Sequence, residues 1–154
     1  MRANDVNYAT KEPTEAIKAY LAGFVDGEGC FVIAHTRPPS SGSRNVSGIW
    51  DCRVCVYNSN LEILETLQDY FGGFIQIRNR NEKWKAAGQL TWSGTRVVPV
   101  IEAILPYLIG KKEQAELLLS VQRTKTVIGR KSHQPMPADL LAFRLAAKEK
   151  MHQL

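Results

Sequence analysis

Leu21-Ala22-Gly23-Phe24-Val25-Asp26-Gly27-Glu28-Gly29 is the most informative run of residues in this chain. It continues a pattern that begins before it, because Ala16, Ala19 and Gly23 fall at positions i, i+3 and i+7 and share one face of a helix. Small side chains on one face let a second helix approach almost backbone to backbone, whereas an ordinary core face carries Leu and Ile. The sequence therefore predicts a helix whose small-residue face contacts another helix.

Two acids, Asp26 and Glu28, stand at the end of this helix, which we expect to stop at Asp26. The helix dipole disfavours negative charge there by about 0.3–1 kcal/mol per residue. Gly27 and Gly29 are expected to break the helix and allow a sharp turn. Acids at a position that folding disfavours indicate a bound cation or a reaction that needs one. A helix end with incidental acids is the alternative explanation.

The nine-residue run closely resembles the motif of the LAGLIDADG homing endonucleases. The departures are conservative: Phe24 and Val25 replace Leu and Ile, Gly27 replaces Ala, and Glu28 replaces the second Asp. In that family two motif helices pack together at the centre of the molecule. The resemblance implies that Glu28 ligates a catalytic divalent metal and that the backbone carbonyl of Gly27 assists. We assign Asp26 to capping and helix packing instead of metal binding.

The composition is that of an ordinary soluble globular protein. The chain has 154 residues, of which 44% are hydrophobic and 23% charged, and we expect one domain over residues 1–154. We expect neither a signal peptide nor a membrane span, which needs roughly 20 apolar residues. Three cysteines fit a reducing intracellular setting (cytoplasm, nucleoid or organelle) better than secretion. Cys52 and Cys55 form a C-x-x-C, but in a strand they point to opposite faces and lack a second pair for zinc.

The positive charge is concentrated in two segments. The net charge is +5, and residues 30–57 and 73–93 together carry seven Lys or Arg against two acids, so the whole excess lies there. Both segments have the alternation of β-hairpins. A basic ribbon with interleaved aromatic residues is typical of a surface that binds a polyanion, whereas a merely solvated sheet face mixes the two signs more evenly.

Periodicity and turn residues predict the element order αββαββα with added C-terminal helices, which is an α+β fold. Residues 1–12 are expected to form a loose arm, and residues 125–137 a basic linker to the last helix. The predicted helices are one capped by Thr14 and ending at Asp26, one over Leu61–Phe71 that is capped by Asn58-Ser59-Asn60, one over Thr95–Leu105, and two more that start at Lys111 and at Asp139. The predicted strands are Cys30–Arg37 and Ile49–Tyr57 in the first hairpin, and Phe74–Arg80 and Gln89–Ser93 in the second. The expected inward residues of the last helix are Leu140, Leu141, Phe143, Leu145 and Met151.

This order matches the core fold of the LAGLIDADG family, so the resemblance extends over most of residues 13–120. It implies that the four strands form a curved antiparallel saddle in the DNA major groove. Pro106-Tyr107-Leu108 with Lys111 and Gln114 is similar to a family segment whose lysine lies beside the scissile phosphate. A surface lysine at a helix N-terminus is the alternative for Lys111. Asn58 matches a polar position that orients active-site water. The last helices are the least similar part.

The polar faces of the hairpins supply the candidate DNA contacts, while Trp50 and Trp92 fall on the apolar faces and are expected in the core. The candidates for base edges are Arg53, Gln76, Arg78, Arg80 and Gln89, with Thr36 and Thr91 as weaker ones. The candidates for phosphate contacts are Arg37, Arg44, Lys83 and Lys85.

Together with these features, the resemblance implies an intron-encoded, homodimeric DNA endonuclease that cuts both strands at a long pseudo-palindromic site. The single motif requires a partner chain, with Ala16, Ala19 and Gly23 at the interface. Catalysis is assigned to Glu28, Lys111 and Asn58, and metal binding to Glu28 and Gly27. Mg²⁺ is the expected cofactor, Mn²⁺ is expected to be tolerated, and Ca²⁺ to support binding without cleavage. The alternative is an intron RNA maturase or splicing cofactor on the same fold, with intron RNA as its partner.

Overall fold

We describe the protein from a computed structural model, which describes residues 7–37, 48–78, 86–126 and 135–154. The helices are α1 Glu15–Glu28, α2 Leu61–Phe71, α3 Val97–Ile104, α4 Lys112–Thr126 and α5 Ala138–Gln153, and the strands are β1 Gly29–Thr36, β2 Ile49–Asn58, β3 Phe74–Arg78 and β4 Ala87–Ser93. Short 3₁₀ turns at Gly94–Arg96 and Leu105–Tyr107 flank α3. The predicted αββαββα order with added helices is confirmed.

The four strands form one antiparallel sheet in the order β1-β2-β4-β3. Each hairpin contributes an outer and an inner strand, and the inner strands β2 and β4 pair with each other from Arg53↔Ser93 to Asn58↔Gly88. Because side chains alternate along a strand, one face of the sheet is apolar and the other polar. All five helices contact the sheet, and they cover its apolar face.

Large side chains fill the space between the helices and the sheet. Trp92 is fully buried, and its indole N–H lies 2.9 Å from the carbonyl oxygen of Gly72 at the end of α2. Trp50 is also buried and stacks on His35, with ring centroids 4.1 Å apart. The prediction that both tryptophans belong to the core is confirmed. In α4 the buried residues include Ala115, Leu118, Leu119 and Val121.

The start of the chain is better anchored than the predicted loose arm. Asn7 forms a β-bridge with Gly73, and the backbone N–H groups of Thr10 and Lys11 donate to the carbonyl oxygen of Asp69. The Lys11 amine also pairs with the Asp69 carboxylate at 2.9 Å. For residues 7–12 the prediction was therefore wrong, because the exposed C-terminal end of α2 supplies hydrogen-bond acceptors that a sequence pattern does not reveal. Residues 1–6 lie outside the described part.

The last helix differs from its prediction in the residues that it buries. Arg144 and Ala147 are its buried residues, whereas Phe143 and Leu145 are exposed by 42% and 46%. The Arg144 guanidinium lies 5.9 Å from the Trp50 ring and donates to the Thr124 hydroxyl at 3.0 Å. The apolar stem of an arginine packs well on an aromatic ring, so this position accepts a charged residue. The predicted linker over residues 125–137 also begins later than expected, because α4 continues to Thr126.

Candidate active site and nucleic-acid face

The end of α1 carries the motif acids. Thr14 caps the start of the helix by accepting the N–H of Ile17, as predicted, but the helix continues through Gly27 to Glu28 instead of stopping at Asp26. Gly29 ends it, with its N–H bonded to the Val25 carbonyl. A Cβ on Gly29 would lie 2.8 Å from the Val25 backbone, so the direct passage from α1 into β1 requires glycine there. Glu28 and Gly27 consequently stand exposed in the last helical turn.

Asp26 holds the loop that leads into α4. Its carboxylate accepts the backbone N–H groups of Ile109, Gly110 and Lys111 at 2.8, 3.2 and 2.9 Å. Burial acts to raise the pKa of Asp26, but these three hydrogen bonds and the nearby Lys111 charge outweigh it and lower the pKa below the ordinary value of 3.8. Asp26 therefore acts in capping and packing, as assigned from the sequence. The helix end that it caps is the N-terminus of α4 and not an end of its own helix.

Lys111 lies at the same junction. Its amine donates to the carbonyl oxygens of Val25 at 3.0 Å and Gly29 at 2.6 Å. A cation at the C-terminal end of a helix is favourable, because this end of the helix dipole is negative. The structure thus brings Lys111 to the residue that directly follows Glu28, although the two are far apart in the sequence.

Asn58 ends β2 and lies in the turn that leads into α2. Its side-chain oxygen accepts the N–H of Asn60 at 2.8 Å, and Asn60 in turn caps α2 by accepting the N–H of Glu62. Asn58 also falls at the register position opposite Gly88 of β4. The described contact of its side chain therefore stabilises the turn before α2, and its catalytic role stays a prediction.

The polar face of the sheet brings several predicted DNA contacts into register. Arg53 lies between Val32 of β1 and Ser93 of β4. Two residues further along β2, Cys55 lies between Cys30 of β1 and Thr91 of β4. Two residues beyond Cys55, Tyr57 lies opposite Gln89 of β4, and Gln89 in turn lies opposite Gln76 of β3. The accessible predicted contacts on or beside this face are Thr36, Arg37, Gln76 and Arg78. The predicted contacts Arg44, Arg80, Lys83 and Lys85 lie outside the described residues.

Three of the predicted contacts are engaged within the sheet. Arg53 pairs with Asp51 at 3.1 Å. Gln89, expected to be accessible, is only 7% exposed, and its amide donates to the Thr91 hydroxyl at 3.1 Å. Thr91 donates to the Cys55 sulfur at 3.6 Å. The central position of β4 explains the burial of Gln89, because Tyr57 and Gln76 flank it on both sides.

The face of α1 opposite the core is uncovered. Leu21, Ala22 and Val25 are buried, whereas Ala16, Ala19, Gly23 and Gly27 are exposed. A Cβ placed on either glycine would meet nothing within 4 Å. A glycine inside a helix costs roughly 0.5–1 kcal/mol relative to alanine, and no neighbour within the described chain explains that cost. Gly27 adds one turn to the predicted small-residue face, which sequence reasoning missed by ending the helix too early.

A family comparison matches the LAGLIDADG endonucleases over residues 21–119, from the motif in the second half of α1 through both hairpins to the first half of α4. The chain belongs to the LAGLIDADG endonuclease family. Membership of this family implies nuclease activity. The predicted resemblance is thereby confirmed.

Solved structures of LAGLIDADG homing endonucleases share the fold of this chain. I-CvuI in complex with its target matches with a TM-score of 0.68 at 23% identity, covering 90% of this chain and 82% of that chain. I-SmaMI bound to cleaved DNA gives 0.67 at 18% identity, covering 88% and 44%, and I-LtrWI bound to target DNA gives 0.65 at 17%, covering 93% and 45%. This LAGLIDADG chain thus spans less than half of I-SmaMI and I-LtrWI. A comparison with curated proteins gave no match.

A divalent metal fits the donor atoms at the end of α1, but one chain supplies only part of its ligands. Glu28 and Gly27 are exposed residues that carry a carboxylate and a backbone carbonyl, and hard cations such as Mg²⁺ prefer such oxygen ligands. Among the residues that the structure describes, no group of three His, Cys, Asp or Glu side chains could hold a metal. The remaining ligands of this LAGLIDADG site would have to come from DNA, water or a second chain.

Two features of the polar face were missed by sequence reasoning. Tyr57 is 40% exposed beside Gln89 and Gln76, and its presence among the polar positions of β2 was the available signal. Cys30 and Cys55 face each other across β1 and β2. The hydrogen bond from Cys30 lowers the pKa of Cys55 to about 6 and raises that of Cys30, whereas burial raises the pKa of Cys52 to about 11.

Proposed function

We propose that this LAGLIDADG protein is a homodimeric, metal-dependent endonuclease that cuts both strands of a long pseudo-palindromic DNA site. The observation that carries the proposal is the exposed end of α1, where Glu28 and Gly27 lie beside the uncovered face of small residues. The next residue, Gly29, accepts the Lys111 amine through its carbonyl oxygen. Intron-encoded origin is part of the proposal. No helix among the described residues is long and apolar enough to cross a membrane.

The catalytic division of labour follows from the donor chemistry. Glu28 and the Gly27 carbonyl would hold Mg²⁺, which when bound lowers the pKa of a water and neutralises charge on the phosphate. Lys111 would stabilise the negative charge that develops on the phosphate oxygens. Asn58 would orient the attacking water, which requires its side chain to release the N–H of Asn60. Mn²⁺ would replace Mg²⁺, and Ca²⁺ would support binding alone.

Two independent observations support the proposed dimer. The exposed face of α1 is made of Ala16, Ala19, Gly23 and Gly27, which allows a second copy of the helix to approach closely about a two-fold axis. In addition, this chain matches less than half of I-SmaMI, which is bound to cleaved DNA as a longer chain. Two copies of this chain would together supply a length of folded chain comparable to that of I-SmaMI. They would also supply one Glu28 for each DNA strand.

DNA would lie on the polar face of the sheet, with base edges near Gln76 and Arg78 and phosphates near Arg37 at the end of β1. The sequence-level candidates Thr36, Arg53, Gln89 and Thr91 belong to the same face. Of these, Gln89 and Thr91 would read bases only after a change in the hydrogen bonds that now join them.

The decisive experiment is cleavage of a duplex that carries the candidate intron-insertion site, with Mg²⁺, Mn²⁺, Ca²⁺ or a chelator present. We expect double-strand cuts with Mg²⁺ and Mn²⁺, binding without cuts with Ca²⁺, and neither cuts nor nicks with the chelator. Cleavage in the presence of chelator would contradict metal dependence. Tight binding of the intron RNA without any DNA cleavage would favour the maturase alternative.

A further inference from the structure

Cys30 and Cys55 occupy directly opposed positions on β1 and β2. Both are free thiols, and they hydrogen-bond to each other. Facing residues of an antiparallel pair have Cα atoms about 4.5–5.5 Å apart, which lies within the roughly 4.4–6.8 Å that a disulfide accepts. The register therefore places the two Cα atoms at a separation that a disulfide accepts, without movement of the backbone.

The third cysteine provides an internal contrast. Cys52 belongs to the same strand as Cys55 but lies opposite Ile33, on the apolar face of the sheet, and it is fully buried. Residues three apart in a strand point to opposite faces, so Cys52 cannot reach either of the other thiols. Of the three possible pairs, only Cys30 with Cys55 has a suitable geometry.

The two thiols differ in access to solvent. Cys55 is only 3% exposed, and its sulfur accepts the hydroxyl of Thr91. Cys30 is half-buried and lies at the edge strand, directly after Gly29. A small oxidant can therefore reach Cys30 first, while Cys55 stands next to it as the thiol that completes the reaction.

We propose that Cys30 and Cys55 form a thiol-oxidation site that a low-molecular-weight disulfide, such as oxidised glutathione, converts to a cross-strand disulfide. The Cys30 thiol first passes its proton to the neighbouring Cys55 sulfur, and the Cys30 thiolate then attacks the oxidant, which releases one glutathione thiol and leaves a mixed disulfide. The Cys55 sulfur then attacks Cys30 and releases the second glutathione. Two protein thiols are oxidised, one glutathione disulfide is reduced to two thiols, and the two protons of the protein thiols pass to the glutathiones.

The site lies where oxidation would matter for the proposed function. Cys30 and Cys55 are on the polar face of the sheet, and Cys30 follows Gly29, whose carbonyl accepts the Lys111 amine. If DNA covers this face, as the proposed function requires, bound duplex should shield Cys30 from the oxidant. Oxidation would in turn prevent the hairpin from adjusting to DNA at the point where β1 leaves the active-site helix.

The test is to treat the full chain with oxidised glutathione and measure intact mass and the linked peptides. We expect a loss of two hydrogen atoms and a peptide pair that joins Cys30 to Cys55, both reversed by dithiothreitol. Cys55→Ser should stop at a glutathione adduct on Cys30, Cys30→Ser should give neither product, and Cys52→Ala should behave as the wild type. Because the wild-type measurement needs no variant, the result does not depend on how any variant folds.

A linkage through Cys52, a stable glutathione adduct on wild-type Cys30, or no reaction while Cys30 remains open to alkylation would each overturn the proposal. Repeating the oxidation with mixed-sequence duplex DNA at low salt separates it from the proposed function. Slower disulfide formation supports both. An unchanged rate would leave the disulfide site intact but contradict the placement of DNA on this face.

Discussion

Asp26 and Glu28 lie two positions apart in α1, yet their side chains have different surroundings. Asp26 accepts three backbone N–H groups from the loop before α4, whereas Glu28 is exposed. An acid without folding partners at a helix C-terminus is mildly destabilising, so at the scale of single residues Glu28 is the one whose presence needs a functional reason. The two acids can be separated by mutation.

Glu28→Gln should abolish cleavage while preserving fold and DNA binding. We expect cleavage to fall by at least about 100-fold, the scale for losing a group that stabilises charge in the transition state. Unfolding free energy should stay constant or rise by about 0.3–1 kcal/mol, because a negative charge leaves the helix end. Cleavage rate, binding by electrophoretic shift and thermal unfolding measure these effects, with the exposed Glu65→Gln as control. If Glu28→Gln cleaved DNA at close to the wild-type rate, the assignment would be contradicted.

Asp26→Asn should instead destabilise the protein, in a way that depends on pH. The pKa of Asp26 is lowered in the folded state, so its carboxylate contributes stability above the ordinary Asp pKa of 3.8, and that contribution disappears as pH falls through the lowered value. Near neutral pH we expect a loss of about 0.5–2 kcal/mol, as for other helix-capping residues. Denaturant unfolding of wild type, Asp26→Asn and the exposed control Glu116→Gln across acidic to neutral pH would test this. A difference that persists undiminished to low pH would refute it.

At the scale of elements, the two hairpins place an ordered polar face beside the end of α1. Gln76 and Arg78 are exposed on the outer strand β3, and Arg37 is exposed just beyond β1. Side chains that stand on a strand are fixed relative to base edges, whereas a residue at a hairpin end more readily contacts phosphate. In both hairpins, residues on the strands should therefore read the base sequence, whereas residues at the hairpin ends should contribute general affinity.

Arg78→Ala should cost about 1–3 kcal/mol of binding free energy at the preferred site and relax the base preference at one position. Arg37→Ala should weaken binding to all sequences alike and reduce the slope of log affinity against log salt by about 1. Competition binding on a library of single-base variants, repeated at several salt concentrations, measures both effects. If Arg78→Ala weakened every sequence equally, the division of labour between strand positions and hairpin ends would be wrong.

At the scale of the whole molecule, the proposed dimer would place a second copy of α1 against the exposed face of the first. Gly23 and Gly27 have open space where a Cβ would stand, so a larger side chain can be added without disturbing the single chain. In the proposed dimer the same side chain would separate the two α1 helices. Interface and fold therefore respond differently to one substitution.

Gly23→Leu should leave the monomer folded but weaken the dimer and abolish double-strand cleavage. Leucine also has a higher helix propensity than glycine, by about 1 kcal/mol, which favours an intact α1. Analytical ultracentrifugation at micromolar concentration and cleavage of a supercoiled plasmid test this, with Ala142→Leu at an exposed position of α5 as the matched control. A wild-type protein that is monomeric both free and on its DNA would contradict the two-fold arrangement.

The sequence alone determined the order of the elements, the helix caps at Thr14 and Asn60, the two faces of each hairpin and the motif that placed the chain in its family. These features depend on residues only a few positions apart, so their pattern is visible in the sequence. Only the tertiary structure decided that Asp26 and Lys111 join α1 to α4, that Cys30 lies opposite Cys55, and that Arg144 faces inward. Those contacts depend on strand register and helix packing, which bring together residues that are distant in the chain and that no local pattern connects.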